Sequence, residues 1–310
     1  TCSGSGVGGS ATTGTTTGER PARDHVIEDT IAVVERWADC AVDGSALLDG
    51  GEVGTVRRVD LTDGRRVVAK TGPTDPRVEA GMIRHLREEG GVRAPGVFHA
   101  GDGVLVLEYV ASDADADVTP AVEHDLAERL AVLHAAAPDA GAFGFPFDTL
   151  TGPYDQPNPW TDSWPSFFGE HRLERAAAGN TPSLCAHAAD RERVATLADD
   201  LSALLDHEPT PSLIHGDVWA GNVLVAADRM AALVDPACYY ADPEVELAYV
   251  EWTGTGGDAF LDRYREVAAI ADGYREREPV YCLYPLLTHL RYFGDEYLGE
   301  VRATLSELGY

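Results

Sequence analysis

The sequence predicts an α+β chain of two lobes, a small antiparallel β-sheet lobe followed by a larger, mainly helical one. Three observations predict it. Short β-like runs bracket one helical run between Ala46 and Val110. Helical patterning dominates from there to Tyr310. Within that helical part, a polar loop is bounded by two short apolar strands.

Residues 1–24 are low in complexity and poor in apolar groups, and a disordered tail is expected there, outside the fold. Ile27, Ile31, Val34 and Trp37 recur at helical spacing, which predicts an amphipathic helix over residues 25–40. Strands follow at Val53–Leu61 and Arg65–Thr71, joined by the turn Thr62-Asp63-Gly64. A helix is expected from Pro76 to Glu89. Strands at Gly96–His99 and Val104–Tyr109 are then separated by Gly101-Asp102-Gly103. Strand, strand, helix, strand, strand is the order of a kinase small lobe, assigned here to residues 25–110. In the large lobe, residues 111–310, helices are expected at Val122–Ala137, Pro165–Ala178, Asp190–Asp206, Pro243–Glu251, Asp258–Ala271 and Val280–Leu308. Strands are expected only at Leu213–His215, Val223–Ala226 and Ala232–Asp235.

The chain of 310 residues carries 52 acidic and 24 basic residues, a formal charge of -28, so nucleic acid and anionic membrane surfaces are excluded as partners. Acids occur in nearly every segment, as expected of a protein kept soluble in concentrated salt, and a halophilic host is expected. Of the basic residues 23 are arginine and only Lys70 is lysine. Five widely spaced cysteines suggest neither zinc nor a disulfide framework. No apolar run reaches membrane-spanning length and no secretory leader is visible, so a cytoplasmic monomer is expected.

The strongest local signal is Ser212-Leu-Ile-His215-Gly216-Asp217-Val-Trp219-Ala-Gly221-Asn222-Val-Leu-Val. Asp217 and Asn222 have the spacing of base and metal-binding Asn in a kinase catalytic loop, and Asp235 follows at the end of an apolar strand. Phosphoryl transfer needs a carboxylate to orient a hydroxyl and take its proton, a role for Asp217. It also needs hard oxygen ligands for Mg²⁺, which Asn222 and Asp235 can supply. His215 is expected to brace the loop. Singly, an HGD triplet, an Asp-Pro pair or a lone Asn is more often a turn or a cap; their ordered spacing carries the reading.

Upstream, the glycine-rich stretch with Gly51 and Gly54 precedes a strand ending Val68-Ala69-Lys70, the form of the lysine that contacts nucleotide phosphates. An arginine-rich chain that keeps one lysine here keeps it for a compact ammonium. Glu79 is placed to pair with it, and Glu108-Tyr109-Val110 fits a linker whose backbone would meet the adenine edge of ATP.

These residues resemble the fructosamine kinase (ketosamine 3-kinase) family, a branch of the aminoglycoside-phosphotransferase-like group of the protein-kinase fold, over roughly residues 25–310. The more specific matches are Phe143–Pro146, Gln156–Trp164, Phe167–Leu173, the HGDxWxGN form of the loop and the run Pro236–Ala248. The resemblance implies ATP- and Mg²⁺-dependent phosphorylation of the O3′ hydroxyl of a ketosamine, free or on a glycated protein lysine, in deglycation. It also makes Trp219 the residue expected to cover the sugar, against packing on Trp160 or Trp164 in the core. An aminoglycoside, choline or homoserine kinase and a non-catalytic nucleotide-binding module are the competing expectations. The glycine-rich stretch is more acidic than is common in the family and has no cysteine, so redox control there is not expected.

Overall fold

Alternation along one strand organises the small lobe. The computed structural model describes residues 20–48, 53–113, 116–178 and 187–310, and the side chains from 27 onward within them. In β3 (Arg66–Thr71), Val67 and Ala69 are buried on one face while Val68 and Lys70 fall on the other, as the period of a strand requires. β3 lies between β2 (Thr55–Leu61) and β5 (Val104–Glu108) in an antiparallel sheet completed by β1 (Val42–Leu47) and β4 (Val97–Gly101), in the order β1-β2-β3-β5-β4. Val33 and Val34 of α1 (Arg20–Ala38) join Val67, Ala69 and Val106 in a core on one face.

The other face is covered by α2 (Pro76–Glu88). Asp75 caps it by accepting from the Arg77 N–H, and Pro76 starts it with a preset φ. Ala80 and Ile83 pack on Leu105 and Leu107 of β5. Met82 and Leu86 enter the core of the large lobe. α2 is thus wedged between two cores, which fixes Glu79 relative to both.

In the large lobe, α3 (Pro120–His134), α4 (Trp164–Phe168), a π-helical turn (Gly169–Leu173), α5 (Glu174–Ala178), α6 (Ala188–Leu204), α7 (Glu244–Trp252), α8 (Asp258–Val267), α9 (Tyr274–Phe293) and α10 (Leu298–Glu307) bury one continuous apolar core. Its strands pair in twos: β6 (Thr149–Thr151) with β7 (Tyr154–Gln156), β8 (Ser212–Ile214) with β11 (Tyr239–Ala241), and β9 (Val223–Ala226) with β10 (Arg229–Leu233).

Several expectations are corrected. The first helix begins at Arg20, inside the stretch assigned to the tail, because Pro21 is compatible with a first helical turn. Residues 1–19 and Gly51 lie outside the described residues. β10 starts and ends earlier than Ala232–Asp235, because Ala227 and Asp228 both take positive φ and make a two-residue hairpin turn. The expected terminal helix is two. α9 starts at Tyr274 and runs through Pro279 and Pro285, whose lost hydrogen bonds are offset by burial of Val280, Tyr281, Leu283, Leu286 and Leu287. It stops at Gly294, which turns the chain at φ 86°.

Candidate active site

Lys70 leaves the sheet toward α2, and its Nζ lies 2.9 Å from Glu79 Oε1 and 2.8 Å from Asp235 Oδ1. Burial alone would push the Lys70 pKa down, but the two carboxylates outweigh it and hold it above the ordinary lysine value. For Glu79 burial prevails over Lys70, aided by Asp235, and its pKa is raised. One ammonium therefore sits between two carboxylates drawn from the two lobes.

The loop from β8 to β9 carries the rest. Gly216 has φ 83°, and a Cβ there would lie 2.4 Å from the Ala237 carbonyl oxygen, so only glycine fits the approach. Across it, the Ala237 N–H donates to His215 O at 2.9 Å and the Val234 N–H to Asn222 O at 3.0 Å. These bonds lace the Asp235 segment to the catalytic loop, and Asp235 itself takes φ 55°, a conformation a non-glycine residue adopts only when held.

Asp217 is held from two sides. Asn222 Nδ2 donates to its Oδ2 at 2.9 Å and to its backbone oxygen at 2.9 Å, and the Tyr249 hydroxyl donates to Oδ1 at 2.7 Å. Burial raises the Asp217 pKa to about 6, with a further push from Asp235, against the lowering effect of those two hydrogen bonds. His215 is fully buried and takes the Asp217 N–H on Nδ1 at 3.3 Å; burial keeps its pKa low.

Two residues that hold this loop and Asp217 were given no role from the sequence. Glu246, buried in α7, accepts the His215 N–H at 3.1 Å, the Gly216 N–H at 2.6 Å and His134 Nε2 at 3.0 Å. Burial would raise its pKa, but His134 and the loop hold it below the ordinary value. Tyr249 lies three residues on, on the same helix face. The available signal was an acid and a tyrosine at that spacing inside an apolar run, Glu244-Val-Glu-Leu-Ala-Tyr-Val.

A cavity of about 560 Å³ opens over these groups, lined at one end by Gly54, Lys70, Glu79 and Asp235 and passing Asp217, Asn222 and Trp219. Trp219 is 37 % exposed and lines the cavity instead of packing on Trp160 or Trp164. A Cβ on Gly221 would lie 2.4 Å from its ring, so the glycine makes room for the indole. The Gln156–Trp164 segment acts at one remove. Gln156 donates to the Ala237 carbonyl at 2.9 Å and accepts from the cavity-lining Tyr284 hydroxyl at 2.7 Å. Glu108, Tyr109 and Val110 are not among the described residues lining this cavity. Glu108 is paired with Arg93 and accepts the Gly96 N–H at 2.9 Å, and Tyr109 lies under the Arg66 guanidinium at 5.1 Å.

The residues present fit Mg²⁺. Asn222 is turned so that its amide N–H groups face Asp217, no described residue donates to its Oδ1, and Asp235 keeps Oδ2 beyond its bond to Lys70. By contrast, His207, Asp242 and Glu244 cluster elsewhere as a charge-paired core, with Arg277 on both Glu244 oxygens at 2.7 and 2.8 Å.

A five-stranded sheet with a strand lysine paired to a helix glutamate, set against a helical lobe presenting Asp217, Asn222 and Asp235, defines a phosphotransferase of the protein-kinase fold. The family model for fructosamine kinase matches residues 39–309, and the chain belongs to that family. It is 36% identical over 219 residues to a probable ketoamine kinase of Synechocystis sp., covering 67% of this chain and 68% of that one. To a chloroplastic protein-ribulosamine 3-kinase of Arabidopsis thaliana it is 27% identical, over 76% of this chain and 72% of the relative. A crystallised fructosamine-3-kinase candidate from Thermobifida fusca superposes with a TM-score of 0.75 at 30% identity, covering 89% of this chain and 96% of that one. In fold alone it also matches an aminoglycoside phosphotransferase, crystallised with AMP-PNP and hygromycin B, at a TM-score of 0.61 and 18% identity over 90% and 98% of the two chains.

Proposed function

We propose that the protein transfers the γ-phosphoryl group of ATP to the O3′ hydroxyl of a ketosamine, a ribulosamine or fructosamine adduct of an amine. The observation that carries this is Asp217, held by Asn222 and Tyr249 in the same cavity as the Lys70–Glu79–Asp235 cluster, in a chain of the fructosamine kinase family. Lys70 meets the phosphate oxygens of ATP as a compact cation, with Glu79 keeping it aimed. Asn222 Oδ1 and Asp235 would hold Mg²⁺, which when bound offsets charge on the triphosphate. Asp217 accepts the O3′ proton as the hydroxyl oxygen forms its bond to the γ-phosphorus and the bond to the departing ADP breaks. Trp219 lies beside the base, where an indole face suits the C–H groups of a sugar. Phosphate at C3, next to the enolisable C2 carbonyl, leaves more readily than hydroxide, and this gives the reaction its use in reversing glycation.

The test is ADP release in high-KCl buffer with ribulosamine, fructosamine, choline, homoserine and aminoglycoside acceptors. Ketosamine-dependent turnover is expected, with Asp217→Asn losing about 10²- to 10⁴-fold in kcat while its thermal stabilisation by ATP persists. Turnover supported only by a non-ketosamine acceptor overturns the substrate assignment, and near-normal turnover of Asp217→Asn overturns the base.

A further inference from the structure

Beyond Asp217 the cavity continues along aromatic rings contributed by α7, α9 and the turn into α10. From Tyr249, whose hydroxyl holds the base, the ring of Trp252 is 6.0 Å away, His289 follows at 4.9 Å from Trp252, Tyr297 at 5.1 Å from His289, and Phe293 at 5.8 Å from Tyr297. All of them line the cavity, as does Glu300, one turn beyond Tyr297. The β6–β7 hairpin packs against this wall, the Tyr292 hydroxyl donating to Thr151 O at 3.3 Å. A Cβ on Gly152 would fall 0.8 Å from the Tyr292 hydroxyl oxygen, so glycine there lets α9 lie against the turn.

The charges of this cavity are one-sided. The chain has 23 arginines, yet among the described residues lining the cavity the only Lys or Arg is Lys70, already committed to Glu79 and Asp235. An acceptor bound with O3′ at Asp217 projects its nitrogen, a few bonds away, and whatever that nitrogen carries into the rest of the cavity. π-faces attract a protonated secondary amine and stack on flat apolar groups. A carboxylate there would meet Glu300 and, among the described lining residues, no arginine and no lysine other than Lys70.

We propose that Trp252, His289, Phe293, Tyr297 and Glu300 form a subsite for the amine substituent of the ketosamine, favouring aromatic, apolar or cationic substituents and rejecting one with a carboxylate beside the nitrogen. This rests on the ketosamine reading above, and deepens it by naming what the sugar is attached to.

The test uses ribulosamines made from benzylamine, methylamine and glycine. kcat/KM is expected to favour the benzylamine over the methylamine adduct by about tenfold, and the methylamine over the glycine adduct by a similar factor. In Phe293→Ala, an exposed position, and in Trp252→Ala, the first ratio should shrink by about threefold or more, through KM, and Glu300→Gln should narrow the second. Wild-type ratios near one, or variants that lower all three adducts by one factor, overturn the subsite while leaving the kinase reading intact. No turnover with any of the three, alongside turnover of a non-ketosamine acceptor, overturns the ketosamine reading and the subsite with it.

Discussion

Asp217 is half-buried beside other carboxylates and is kept usable by two donors, so its proton balance is where the chemistry is most open to measurement. With a pKa of about 6 it is mostly ionised at neutral pH and still basic enough to take a hydroxyl proton. The sign follows directly: the active form is the carboxylate, so kcat/KM should fall by about tenfold per pH unit below about 6. Tyr249 donates to the charged form and so lowers that pKa. Tyr249→Phe should therefore move the acid limb of the pH–rate profile upward and cost on the order of tenfold in kcat at neutral pH. An acid limb that stays in place would deny the tyrosine this role. Lys70 stands out in the sequence as the one lysine of an arginine-rich chain, and in the structure its ammonium fits between two carboxylates.

At the level of elements, the catalytic loop depends on α7 as much as on its own residues. Glu246→Ala would leave His134 and two loop N–H groups without their shared acceptor in a buried site, and should destabilise the protein by about 3–5 kcal/mol. A lowered urea midpoint checks this, with kcat falling more than KM rises where the variant remains folded. The order β2, β3, α2, β4, β5 was legible because alternation in Val67–Lys70 and the Asp75-Pro76 start are local signals. The spacing of Asp217, Asn222 and Asp235 was legible because it is set by one loop and one hairpin. β6, β7 and β11 were not, since three-residue strands carry too little pattern, and the polar Val42-Asp43-Gly44-Ser45 start hid β1. Nor could the place of Trp219 be read from its own residue type, because it depends on the room left at Gly221. The aromatic wall escaped for a different reason: Trp252, His289 and Tyr297 lie on separate elements and meet only through the packing of α7, α9 and the turn after it.

Over the whole molecule, the surplus of 28 carboxylates, 52 acids less 24 bases, cannot be paired internally. The buried acids among the described residues are provided for: Asp125 by Arg129 and Arg229, Asp190 by Arg193 and Arg302, Asp242 by His207 and the Tyr281 hydroxyl, Glu244 by Arg277, and Glu246 by His134. The excess therefore lies at the surface, where like charges repel across the fold and favour expansion. Salt shortens the reach of that repulsion from ~10 Å at 0.1 M to ~3 Å at 1 M. The melting temperature should consequently rise with KCl, steeply below about 1 M and then level off as screening saturates. Screening can be separated from a general salting-out of apolar surface, which continues to grow with concentration. Neutralising the exposed acids Glu88, Asp199 and Glu296 as Gln, Asn and Gln should raise the melting temperature in low salt and flatten the KCl dependence. A triple variant with the same slope as the wild type would place the KCl dependence in burial and not in charge.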